Sequence, residues 1–263
     1  MEILVCVKRV PDTSENEIQL NPTGHDIERD DLVYSINEWD NYAVEEAIQL
    51  VDRVGGNVTV VTVGGEDDEE VLRREMAMGA KHAALISDVA FDGCDGFGIA
   101  SILKTFVQQG NYDLILTGVQ AEDGAAQVGG MLAAMLDYPF ASLVNSIEVL
   151  PNETLKITRE IEGGNKEVNE IDLPCVLSIQ TGINEPRYVG MRGIRQVASV
   201  EIPTFAASDL GIPPSTAGEA AAKVKRADYF VPALGKGAAM LEGSPEEMAD
   251  KVMELVKARG GLK

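Results

Sequence analysis

Positive charge is scarce in this chain: 22 Lys and Arg stand against 43 Asp and Glu, a formal net charge of −21. Proteins that grip nucleic-acid backbones or anionic lipid do so with clustered Lys and Arg, so neither partner fits this balance. Cysteine is equally sparse. Cys6, Cys94 and Cys175 stand far apart, without the paired spacing that disulfide frameworks, metal sites and iron–sulfur clusters need, and they read as reduced thiols. No stretch reaches about 18 uninterrupted apolar residues, the length a membrane-spanning helix calls for. Residues 1–7 pass straight into Lys8-Arg9 with no basic segment before them and no cleavage site, unlike a secretory signal. A cytoplasmic protein is expected.

What is present is a chain able to bury one substantial core, with 263 residues of which 45% are hydrophobic. Residues 2–7, 58–63, 83–86 and 114–117 are short, almost uniformly apolar runs, as strands buried on both faces require. Between them lie helical patterns over 40–54, 67–78 and 96–109. In the first, Ala43, Val44, Ala47, Ile48 and Val51 share a face opposite Glu45, Glu46 and Asp52. This βαβα order predicts a doubly wound, mainly parallel, Rossmann-like α/β sheet, with right-handed crossovers and ligands at the carboxyl ends of the strands.

After about residue 140 the texture changes. Residues 143–150, 155–161, 168–173 and 176–179 read as further strands, with Gly163-Gly164-Asn165 as a hairpin turn, so a β-hairpin extension of the same core is expected. From 203 to 239 the chain is rich in Pro, Ala and Gly, and resembles an extended arm. A helix over 245–259 follows, with Ser244 and Glu247 spaced as a capping box. The predicted organisation is an α/β domain over 1–200 and an arm with a terminal helix over 201–263. Such a tail is costly to order alone, which points to a partner chain that supplies its contacts.

The stretch from Gly118 to Gly130 carries the first chemical signal. Glycines at 118, 124, 129 and 130 allow close backbone approach to a ligand, and a helix starting near Ala125 would direct free N–H groups and the positive end of its dipole outward, where a phosphate fits. A tight strand-to-helix turn with no ligand is the competing account. The other strand ends converge on the same edge: Cys6 and Lys8 after the first strand, Val63 and Gly64 after the second, Asn37 before the first long helix, and Gln120, Gly124 and Ala125 in the glycine-rich loop. Asn37 is equally suited to cap that helix, and Lys8 and Arg9 to form a solvated basic pair.

The resemblance to a known family rests on motifs in order along nearly the whole chain. They are Val5-Cys-Val-Lys-Arg-Val-Pro-Asp12, Asn37 with Ala43-Val-Glu-Glu-Ala47, Met76-Ala-Met-Gly-Ala80, Gly118-Val-Gln-Ala121 with Asp123-Gly124 and Gln127-Val-Gly129, Ile157-Thr-Arg-Glu-Ile-Glu-Gly-Gly164, Pro174-Cys-Val-Leu-Ser178, and Asn184-Glu-Pro-Arg-Tyr188. This set resembles the β subunits of electron transfer flavoproteins, with Asn169 where an aliphatic residue is expected.

That resemblance implies an αβ heterodimer. In it the α subunit grips most of an FAD, the β subunit closes over the flavin, and electrons pass from flavin dehydrogenases, such as acyl-CoA dehydrogenase, to a quinone oxidoreductase or another acceptor. The chain is then a carrier rather than a bond-making enzyme. By the same resemblance Cys6, Asn37, Val63, Asp123, Ala126, Gln127, Val128 and Gly129 surround the β subunit's own nucleotide. That nucleotide is AMP in simple members and a second FAD, meeting NADH, in electron-bifurcating members. The loop from Gln120 to Gln127 is one residue shorter than the bifurcating pattern and lacks its second Asp and its Thr, which favours AMP. Thr13 stands where some relatives carry a tyrosine against the flavin. The segment 184–194 matches the family's recognition loop, with Met191 as its hydrophobic anchor and Tyr188, Arg192 and Ile194 beside it; Arg187 and Arg192 are placed to complement acids on a partner. Glu160 matches a carboxylate that steers the mobile flavin domain, a solvated hairpin charge being the plain alternative. A stand-alone nucleotide-binding regulator of the universal-stress type shares the core but predicts neither the recognition loop nor the arm.

Overall fold

The computed structural model describes residues 1–121, 124–233, 235 and 237–261. Strand β1 (Glu2–Cys6) leads through a short antiparallel pair, β2 (Arg9–Pro11) and β3 (Tyr34–Ile36), into α1 (Glu38–Val54). The chain then alternates: β4 (Asn57–Val63), α2 (Glu69–Met78), β5 (His82–Ile86), α3 (Gly96–Val107), β6 (Leu114–Gly118) and α4 (Val128–Leu136). A meander of β7 (Phe140–Leu150), β8 (Thr154–Ile161) and β9 (Asn165–Asp172) precedes β10 (Cys175–Ile179), which returns to the centre of the sheet. The rest comprises α5 (Met191–Val197), β11 (Thr204–Phe205), α6 (Gly218–Ala221) and α7 (Pro245–Ala258).

These strands form one nine-stranded sheet in the order β11-β5-β4-β1-β6-β10-β7-β8-β9. It is parallel from β11 to β7 and antiparallel through the β7–β8–β9 extension, in accord with the doubly wound α/β expectation. The uniform apolarity of β1 has a plain cause. Ile3 and Val5 enter the core under α1 and α2, with Val44, Ala47 and Leu72, while Leu4 enters the opposite core with Ala100, Leu103 and Leu132. Side chains alternate between the faces of a strand, so a strand covered on both sides has no polar position to spare. Among the described residues, no helix is long and apolar enough to cross a membrane.

Two expectations change. Glu45 and Glu46 on α1 are buried rather than solvated, because residues 184–187 lie across them: Asn184 Nδ2 donates to Glu46 Oε2 at 3.1 Å, and Arg187 Nε donates to Glu45 Oε2 at 2.8 Å. The tail also leaves the core later than residue 201. Pro203 and Phe205 carbonyls accept from the N–H groups of Leu85 and Ser87, adding β11 to the sheet edge, and Ala207, Leu210 and Ala217 are buried. Two strand residues are too few for a sequence pattern to reveal. The terminal helix begins with the expected capping box between Ser244 and Glu247.

Candidate functional site

The carboxyl ends of β1, β4 and β6 open into a cavity of about 800 Å³. A β-strand delivers its last residues to one edge of the sheet, and the connections beyond wall the crevice. Cys6, Lys8, Asn37, Val63, Gln120, Gly124, Ala125, Ala126, Gln127, Val128 and Gly129 all line it, so the structure brings together eleven of the residues singled out from the sequence. Gly64 lies in an adjoining cavity of about 370 Å³ that shares Val63, Gly93, Cys94 and Ile99 with the first. Asp123 lies outside the described residues.

Asn37 is the best-defined polar group in the wall. It occupies the N-cap position of α1, yet its side chain does not cap the helix. Instead Nδ2 donates to the Gln120 carbonyl at 2.8 Å, tying the α1 entrance to the glycine-rich loop. Its Oδ1 is buried and has no hydrogen-bond partner among the described residues. An unsatisfied buried acceptor costs about 1–3 kcal/mol.

Asp40, one turn into α1, holds two strand ends in place. Its Oδ2 accepts from the Lys8 N–H at 2.8 Å and its Oδ1 from the Gly118 N–H at 2.9 Å. Burial pushes its pKa up to about 7, against the opposing pull of those hydrogen bonds. Cys6 is a neutral thiol: burial, with Asp40 nearby, raises it to about 12, which removes it as a nucleophile at neutral pH.

The glycine-rich loop differs from its expected form. Helix α4 starts at Val128 rather than near Ala125, with Gln127 in the cap position. Residues 124–127 are exposed and irregular, and Ala126 has φ 54. Gly118 and Gly129 are fixed by protein packing rather than by room for a ligand: a β-carbon at 118 would strike Asp40 and Trp39, and one at 129 would strike Ser178 and Thr117. Gly129 thereby lets α4 sit against β6 and β10, over the buried Thr117–Ser178 hydroxyl pair at 2.8 Å.

Several lining residues escape sequence reasoning. Asp40 and Thr117 come from regular elements, and Glu219, Ala222, Val224, Lys225 and Arg226 from the tail. Asp95 also lines the cavity and was findable, since Asp before a helical pattern is an N-cap signal; it accepts from the Gly98 N–H at 2.9 Å.

The recognition segment lies elsewhere, on the α1–α2 face, and none of residues 184–194 lines the cavity. Its first part is fastened to α1 by Asn184 and by Arg187, which also approaches Asp52 at 3.8 Å. Arg187 is thereby paired with acids of its own chain. Burial would raise the Glu45 carboxyl, but the Arg187 fork overrides it and holds the group below its usual value. At the other end Arg73 Nη1 donates to the carbonyls of Val197, Ala198 and Val200, closing α5 at its C-terminus. Between these fastenings Tyr188, Met191, Arg192 and Ile194 are exposed, Tyr188 at 92% and Met191 at 66%. Glu160 is exposed on β8, where it accepts from Asn145 Nδ2 at 3.2 Å.

A doubly wound sheet with a cavity at its carboxyl edge defines an α/β protein of the ligand-binding kind. A family model described as the electron transfer flavoprotein domain matches residues 25–210. Electron transfer flavoprotein subunit beta of Methylophilus methylotrophus is 34% identical over 260 residues, covering 97% of this chain and 98% of that one. The namesake of Bacillus subtilis is 33% identical over 260 residues, covering 98% of each chain. Subunit CarD of the caffeyl-CoA reductase-Etf complex of Acetobacterium woodii is 34% identical over 263 residues, covering 98% and 99%. The chain belongs to the electron transfer flavoprotein β-subunit family, and its role is electron transfer.

Proposed function

We propose that this chain is the β half of a cytoplasmic heterodimer that carries electrons from a flavin dehydrogenase, of the acyl-CoA dehydrogenase type, to a quinone oxidoreductase or another acceptor. FAD held mainly by the α subunit supplies the redox chemistry. This chain contributes a wall against that flavin, a docking segment, and a cavity for AMP as a structural nucleotide. The cavity at the carboxyl edge of the sheet, walled by Asn37 and the glycine-rich loop, carries the nucleotide reading, because a doubly wound parallel sheet receives its ligands at that edge. Cys6, Lys8, Asn37, Val63, Gly64 and the loop from Gln120 to Gly129, Asp123 included, are the proposed nucleotide contacts.

Met191, with Tyr188, Arg192 and Ile194, is the proposed anchor for the dehydrogenase. A flexible thioether adapts to several pocket shapes, and exposed apolar groups ringed by polar ones are the usual centres of such contacts. Glu160 is assigned to steering the flavin domain. Helix α7 leaves Val252, Leu255 and Val256 exposed on one side, a face suited to the partner subunit. The stand-alone regulator reading falls with the family match over 25–210.

A second reading is favoured by one observation. The adjoining cavity of about 370 Å³ continues the first past Val63 and Cys94, and offers room for the flavin end of a second FAD. Acid extraction and chromatography of the purified heterodimer decide between the two. One FAD and one AMP per heterodimer is the expected outcome; two FAD would replace the simple carrier with a bifurcating one, and FAD with no second nucleotide would remove the cavity's assigned role.

A further inference from the structure

Val224, Lys225 and Arg226 of the tail line the cavity, in a segment fixed at both ends. On one side Asp95 uses its two oxygens for different tasks: Oδ1 caps α3 at Gly98, and Oδ2 accepts from the N–H groups of Lys223 at 2.7 Å and Val224 at 2.9 Å. On the other side Tyr229 N–H donates to the Gly24 carbonyl at 2.9 Å, and His25 Nδ1 lies 2.8 Å from the Ala227 carbonyl. Lys225 and Arg226, between the two fastenings, line the cavity. In a chain of charge −21, Lys223, Lys225 and Arg226 place three cations within four residues at this spot.

We propose that residues 223–229 are a strap across the cavity, buckled by Asp95 and the 24–25 loop, through which Lys225 and Arg226 engage the phosphate of the bound nucleotide. The proposal rests on the nucleotide reading above. Among the described residues, the acids that line the cavity are already engaged. Asp40 and Asp95 accept backbone N–H groups. Glu219 pairs with Lys225 at 3.4 Å, both groups largely exposed, and such a pair is weak enough to yield to a phosphate. A phosphate with several acceptor oxygens is the ligand chemistry that adjacent Lys and Arg recognise.

The test uses the full-length chain, calorimetric titration with AMP and FAD as phosphate-bearing probes, and adenosine as the phosphate-free one. A Lys225→Ala/Arg226→Ala double variant should bind whichever phosphate-bearing probe the wild type takes about tenfold more weakly or worse, with adenosine changed by less than about threefold. Asp95→Ser keeps a helix-capping oxygen but loses the one that grips the tail. It should weaken the same probe and speed trypsin cleavage after Lys223, Lys225 and Arg226, cleavage that the probe slows in the wild type. Unchanged affinity in the double variant, or equal loss for adenosine, overturns the strap. A wild-type chain that binds none of the three compounds overturns the nucleotide reading itself, an outcome distinct from failure of the variants alone.

Discussion

Glu75 sits on α2 with no exposed surface and no hydrogen-bond partner for either oxygen among the described residues; the Arg74 guanidinium stands 4.0 Å away. Burial pushes its pKa from 4.5 to about 8, with Arg74 opposing and Asp40 and Glu45 adding to the rise. A carboxyl that keeps its proton more firmly when folded contributes fully below the unfolded value, and that contribution is lost as pH rises from about 4.5 to about 8. Glu75→Gln should therefore flatten the stability profile over this window and exceed the wild type at pH 8 by more than about 1.4 kcal/mol, one pKa unit's worth. Urea melts at pH 5 and pH 8 check this, and parallel profiles for the two proteins would refute it. Glu75 stands four residues after Val71 and three before Met78, on the buried face of α2; its acidic residue type, rather than its spacing, hides this from a pattern of apolar positions.

At the scale of elements, the recognition segment is a short helix between two guanidinium fastenings, and the two kinds of residue in it should fail differently. Met191→Ala removes an exposed side chain, so stability should move by less than about 0.5 kcal/mol, while dehydrogenase-dependent reduction of the heterodimer slows by about tenfold or more. Arg187→Ala strips the partner from buried Glu45 and should cost about 1–3 kcal/mol of stability, together with slower reduction. Stopped-flow flavin absorbance and thermal melts separate the cases, and a Met191→Ala heterodimer reduced at the wild-type rate would remove the anchor role. Removing residues 244–263 should leave the α/β core folded, since α7 contributes no buried residue, but weaken assembly with the α subunit. Gel filtration of the co-expressed pair reads that outcome, and an intact heterodimer would locate the assembly contacts elsewhere. The strands and long helices were legible because apolar periodicity survives any partner. The two-residue β11 and the segment 184–187 lying across α1 were not, because their positions depend on residues more than a hundred positions away.

Over the whole molecule, the cavity was more legible than the bonds that build it. Parallel-strand topology sends the ends of β1, β4 and β6 to one edge, so Cys6, Val63 and Gly129 could be placed together from their order alone. The Asp40 bridge to Lys8 and Gly118 and the Asp95 grip on residues 223–224 are contacts in space, 32, 78 and more than 120 residues apart in sequence, and local spacing is silent about them. Co-expression with the α subunit should give a yellow complex, and this chain alone should hold little flavin; a yellow, stable monomer would contradict the division of labour between the subunits. Helix α1 begins at the cavity with Asn37 and Asp40 and, one to two turns on, seats the recognition segment on Glu45 and Glu46. With no break in α1 between the two ends, it acts as a ruler: under the docking proposed above, a dehydrogenase seated on Met191 would meet the cavity end of the carrier at one fixed offset.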